Sequence, residues 1–172
     1  MGEGPRRGRR SSPRVDAILA RVRPGLPIWD LCCDGGQIGS VALDRDPAAT
    51  VVFVDVRPAI VRALESLLAR FPHYTGRYRV VCADILRMDL PTAPAAFVVA
   101  GVGTDLTWAF VQRLAGRQGD CIVASTSQCP TRFEETGRRS GCAVEGRQHV
   151  SSRHGRQTIW SLTVGPPRLS EC

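Results

Sequence analysis

The sequence predicts an α/β domain built on a mostly parallel, seven-stranded sheet that ends in an antiparallel hairpin. Three observations predict it. Short apolar runs alternate with longer stretches whose apolar residues recur at helical spacing. The run Thr50–Val56 is rich in β-branched residues and has no polar alternation, as expected of a strand covered on both faces. The last segment instead alternates apolar and polar residues around one turn, the pattern of a hairpin.

The elements follow in order. Residues 1–12 read as a basic flexible arm. Ser12-Pro13 suits a helix start, and Val15, Ile18, Leu19 and Val22 share one face before Pro24-Gly25 stops the helix. Leu26–Cys32 reads as the first strand, Asp34-Gly35-Gly36 as a turn and Ile38–Leu43 as the start of a helix. Thr50–Val56 is the second strand. Pro58 opens a helix running to Phe71, with Ile60, Val61, Leu64, Leu67 and Leu68 inward. Tyr78–Cys82 and Ala95–Ala100 are the third and fourth strands, Leu106–Leu114 is a helix and Asp120–Ser125 the fifth strand. Pro130–Ser140 is a helix stopped by Gly141. Ala143–Ser152 and Gln157–Val164 form the hairpin. Strand and helix thus alternate five times, and a right-handed succession of this kind is Rossmann-like. Residues 13–165 are expected to form one domain and 166–172 a tail.

Composition narrows the classes. Hydrophobic residues make up 43% of the 172 and charged residues 23%, which fits a globular domain of this length. No apolar run approaches the roughly 18 residues a bilayer span needs, and no apolar stretch follows the basic start, so the expected compartment is the cytoplasm. Seven cysteines, an odd number without repeated C-x-x-C spacing, read as reduced thiols, and their spacing to the histidines matches no zinc pattern. The net charge is +7 and every basic side chain is arginine. Arginine pairs with phosphate through two bonds and stacks on bases, which favours a nucleic-acid partner.

In sheets of this kind ligands bind at the carboxyl ends of the strands. The first strand brings Asp30, Cys32, Asp34 and Gly36 there, the second Asp55 and Val56, the third Asp84 and Ile85, and the fourth Gly101. A dinucleotide needs a glycine-rich turn free of negative charge, because its pyrophosphate rests on the helix N-terminus. Gly36 and Gly39 fill two places of that frame, but its first place holds Asp34, which would repel phosphate. S-adenosylmethionine carries a sulfonium and an ammonium and no phosphate. Asp30 and Asp34 suit it, Asp55 is placed to accept the ribose hydroxyls, and Asp84 to take the adenine amino group. One such acid alone is commonly a turn or cap residue; the whole set, in this order, makes the cofactor reading.

The residues from Ser12 to Leu43, S-P-R-V-D-A-I-L at the start and W-D-L-C-C-D-G-G-Q-I-G at the turn, resemble the opening of the bacterial tRNA adenine-22 N1-methyltransferases, the TrmK type. Val99–Leu106 resembles that family's I-A-G-M-G-G-x-L, and Ser127-Gln128-Cys129-Pro130 stands where it has L-Q-P-N. The resemblance covers Ser12 to Gly165, without the family's helical C-terminal extension. Departures are Gly35 and Gln37 in place of His and Tyr, Cys32 in place of the first glycine, and Gln128-Cys129-Pro130 in place of Gln-Pro-Asn, which loses the Asn. The resemblance implies a class I methyltransferase fold, S-adenosylmethionine as cofactor and RNA, in particular tRNA, as substrate. On that basis Asp34 is the candidate to steady the positive charge of a methylated adenine, and Gln128 to bond the base edge. Arg6, Arg7, Arg9, Arg10 and Arg14 are the candidates for RNA phosphates. Trp108 and Phe110 read as helix-packing residues rather than base-stacking ones. A small-molecule or protein methyltransferase, or an inactive RNA-binding relative, are the alternatives, and no metal is expected.

Overall fold

The computed structural model describes residues 11–127, 129–152 and 155–164. Seven strands form one sheet in the order β3-β2-β1-β4-β5-β7-β6. β1 (Ile28–Leu31), β2 (Val51–Asp55), β3 (Tyr78–Cys82), β4 (Ala96–Ala100) and β5 (Cys121–Thr126) are parallel. β7 (Gly155–Val164) runs antiparallel between β5 and β6 (Cys142–Ser152). The chain leaves β1 toward β2 on one side and returns through β4 on the other, so a crevice opens at the carboxyl ends of β1 and β4.

Alternation of side chains within each strand divides the core. Val51 and Phe53 of β2, Val98 of β4 and Val123 of β5 pack beneath α1 (Pro13–Leu19), α2 (Gln37–Arg45) and α3 (Pro58–Leu68). Trp29, Leu31, Phe97 and Val99 face α4 (Thr104–Gln112) and α5 (Pro130–Arg139). Every residue of β4 is buried, as the unbroken apolar run requires. Trp108, Phe133 and Trp160 form one aromatic column, with successive ring centroids 4.7 Å apart. The Trp108 indole also donates to the Phe133 carbonyl at 2.9 Å. Trp108 and Phe110 are therefore interior packing residues, as their helical spacing indicates.

The structure departs from regular alternation once. Between β3 and β4 there is no α-helix; residues 83–95 form an irregular crossover instead. Arginines at and beyond the end of α4 hold it. Arg113 donates to the carbonyls of Ile85 and Met88, and Arg117 to those of Pro91 and Ala93. Backbone acceptors that a helix would have satisfied internally are met by guanidinium groups. Element ends also shift: the first helix ends at Leu19 and the third at Leu68, while α4 begins at Thr104. No described helix is long and apolar enough to cross a membrane.

Candidate functional site

The turn after β1 brings the site together. Cys32 and Asp34 have φ of 54° and 47°, and Gly36, at the start of α2, has 64°. Non-glycine residues rarely adopt this region, so two strained positions on either side of Cys33 mark a backbone held in place by its surroundings. The Cys33 amide donates to Val54 of β2 at 3.0 Å, and the Gly36 amide to the Cys33 carbonyl at 2.8 Å. α2 then lies against β2 so closely that a Cβ on Gly39 would meet the Phe53 ring at 2.3 Å. Glycine there is a requirement of the helix-on-sheet approach.

Asp30 belongs to β1 and is 2% exposed, among apolar neighbours. One of its oxygens accepts from the Gly39 amide at 2.9 Å. Burial pushes its carboxyl up to about 7, while that bond and the charge of Arg14 pull the other way. Arg14, on α1, donates through Nε to Ser125 Oγ at 3.1 Å and is lowered by its own burial. A cation from the first helix and an acid from the first strand thus stand together at the sheet's carboxyl edge.

Asp55 ends β2 and is 2% exposed. Its Oδ1 accepts from the Arg57 amide at 3.0 Å and from Arg57 Nε at 2.9 Å. Its Oδ2 accepts from the Asp34 amide at 3.2 Å and from the Arg57 Nη2 at 3.0 Å. These bonds, those of the Arg57 side chain foremost, hold the Asp55 carboxyl below the usual carboxylate range. Arg57 Nη2 also reaches Asp34 Oδ1 at 3.1 Å, joining the β1 turn to the end of β2.

These residues line one cleft of about 680 Å³, with Arg14, Asp30, Cys32, Asp34, Asp55, Val56 and Gly101 among its walls. Val56 is apolar yet 62% exposed there. The volume lies in the range of small-molecule sites. Gly36 heads α2 just behind the turn. Asp84 and Ile85 are outside this lining: Asp84 Oδ1 accepts from the Leu86 amide at 2.8 Å, and Ile85 is buried beside α4. Gln128, Arg6, Arg7, Arg9 and Arg10 lie outside the described residues. Burial and the Asp55 charge raise the Cys32 thiol to about 11, which leaves it a protonated wall residue and no nucleophile. Among the described residues no group of three His, Cys, Asp or Glu could hold a metal.

Sequence reasoning missed Arg57 and Arg113. The signal for Arg57 was present: an arginine two residues beyond a strand-end acid can fold back on it. The signal for Arg113 was not, since its acceptors are carbonyls of an irregular segment.

The donor set fits S-adenosylmethionine. Opposite charges at Arg14 and Asp30 match the two ends of its amino-acid group, the Asp55 acid matches paired hydroxyls, and among the described residues no row of basic side chains lines the cleft as a pyrophosphate seat.

The family profile described as a methyltransferase domain matches residues 11–132. No curated protein sequence matches the chain. Among solved structures, the B. subtilis M1A22 tRNA methyltransferase TrmK superposes with a TM-score of 0.78 at 12% identity, over 91% of this chain and 68% of that one. M. capricolum TrmK, in complex with S-adenosyl-homocysteine, gives 0.73 at 8%, over 94% and 73%. The glycopeptide N-methyltransferase MtfA, complexed with S-adenosyl-L-methionine, gives 0.74 at 12%, over 88% and 93%. With the matched profile over residues 11–132, the superposed fold and a cleft of this chemistry, the chain belongs to the methyltransferase-domain family and is an S-adenosylmethionine-dependent methyltransferase.

Proposed function

We propose that this methyltransferase acts on RNA, with N1 of a tRNA adenine as the acceptor. The observation that carries the reading is a second cavity of about 240 Å³ on the far side of Gly101. Arg14, Gly103, Ser125, Ser127 and Gln157 line it, and it shares Arg14, Gly101 and Val102 with the first cleft. Its walls offer hydroxyls, an amide and a cation, the groups that read the edge of a flipped base. The net charge of +7, all from arginine, suits a phosphate backbone outside it. The likeness to enzymes described as tRNA m1A22 methyltransferases supports the same assignment.

In this reading Asp30 holds the cofactor's ammonium and Arg14 its carboxylate. Arg14 thereby serves the cofactor before any RNA phosphate, because it lines the cleft and its charge acts on Asp30. Asp55 takes the ribose, Val56 covers the adenine face, and Asp84 with the backbone of Ile85 receives the adenine edge. Cys32, Gly36 and Gly101 supply close backbone approach. The bound cofactor supplies an electrophilic methyl group. Adenine N1 offers a lone pair, so these residues have no proton to remove first. Their work is alignment and a favourable field. Asp34, on the cleft wall, steadies the positive charge that the base acquires. Gln128 bonds the base edge, and Arg6, Arg7, Arg9 and Arg10 meet phosphates.

The test is transfer of labelled methyl from S-adenosylmethionine to bulk tRNA, followed by nucleoside mass spectrometry. 1-Methyladenosine, lost in Asp55→Ala, is the expected result. A second reading, a small-molecule acceptor, is favoured by the coverage of 93% of the glycopeptide enzyme's length. Label absent from RNA but present on small acceptors would establish it instead.

A further inference from the structure

We propose that Arg57 is a displaceable occupant of the ribose seat, and that its exchange with ribose hydroxyls sets how tightly the chain binds its adenosyl cofactor. The proposal rests on the reading that Asp55 receives the ribose. A carboxylate presents about four lone-pair positions. On Asp55 all four are in use: two by the backbone amides of Asp34 and Arg57, two by the Arg57 guanidinium. The amides are fixed by the β1 turn and by the start of α3. Only the guanidinium can give way. It is free to do so, because the Arg57 side chain is 56% exposed while that of Asp55 is 3%. Swinging it outward uncovers one position on each oxygen of Asp55, which is the arrangement that two neighbouring hydroxyls require.

The same motion releases Asp34, since Nη2 bridges both acids. Arg57 in the seat therefore keeps the β1 turn strapped to β2, and its displacement releases the Asp34 carboxylate on the cleft wall. Arg57 opposes the cofactor in the resting chain and leaves a more negative cleft once displaced. It is a specificity-determining residue: only a ligand with hydroxyls for Asp55 compensates for breaking the pair.

The experiment is calorimetric titration of the full chain, its Arg57→Met variant and its Asp55→Asn variant with S-adenosylhomocysteine and with its 2′,3′-dideoxy analogue. Arg57→Met is expected to bind S-adenosylhomocysteine about two- to tenfold tighter, the range an exposed ion pair allows. The gain is expected to vanish for the dideoxy analogue. It is also expected to shrink between about 0.05 and 0.5 M salt, as the wild-type pair is screened. Unchanged or weaker binding by Arg57→Met overturns the proposal. If Asp55→Asn binds like the wild type, the ribose reading itself fails; if it binds weakly while Arg57→Met is unaltered, only the exchange fails. Thermal melts confirm that each variant is folded, and Arg57→Gln replaces Met should that variant melt early.

Discussion

Asp30 is the residue on which chemistry and stability meet. In the unfolded chain it ionises in the ordinary range, near 4. In the folded chain burial raises it to about 7. Its contribution is therefore fully present below pH 4 and is lost as pH rises toward 7. Asp30→Asn, which keeps an acceptor for the Gly39 amide, should be more stable than wild type at pH 7.5 by about 1 kcal/mol or more. The two should converge at pH 4, as urea unfolding would record. If Asp30 holds the cofactor's ammonium as proposed, that charge draws it back to the ionised form, and binding near pH 7 should release a proton. Calorimetry in two buffers of different ionisation enthalpy would register that release. Gly39 makes the second residue-scale prediction. Gly39→Ala forces a methyl into the Phe53 ring and into Val51, 2.7 Å away. A loss of about 1–3 kcal/mol is expected from overpacking, read from the urea midpoint. The sequence shows the Gly39 frame and the Asp55–Arg57 spacing, but not the burial of Asp30 or the meeting of Arg57 with a second acid. An aspartate after a strand reads the same whether it faces helix or solvent, and the partnership of Arg57 with two acids needs two loops to meet.

At the scale of elements, the strands were legible because their burial is continuous. β2 and β4 are written as β-branched and apolar runs, and the structure sets both inside the sheet, paired on each side, with β4 at its centre. The hairpin was legible from its alternation. The segment between β3 and β4 was not, because its order comes from arginines of another element and not from its own periodicity. That dependence is testable. Arg113→Ala removes two bonds to this crossover and should cost about 1–3 kcal/mol. Amide exchange should quicken in residues 84–90, where the proposed adenine seat lies. Cofactor affinity should fall with it, while exchange in β4 stays slow.

For the whole molecule, the cleft and the cavity proposed for the acceptor meet at the loop after β4, and the basic residues 6–10 precede the domain in sequence. Deleting residues 1–10 removes four arginines. If they meet phosphates, RNA affinity should drop and the slope of log K against log salt should fall by about three, at roughly 0.7 per phosphate for single strands. Filter binding across a salt series measures both, and equal slopes would return the arm to a role without RNA.

The lopsided sheet has a further effect. β3 is an edge strand, only half-covered, and the element that usually braces its far side is replaced by a loop pinned from α4. The strand ends proposed to receive ribose and adenine are thus joined to an edge strand and a loop held by side chains at and beyond the C-terminal end of α4. If those seats are filled as proposed, ligand occupancy and order at that edge become one equilibrium: the bound cofactor would slow opening at β3. The cell's supply of methyl donor would in this way regulate how long the protein survives proteolysis, without any separate regulatory site.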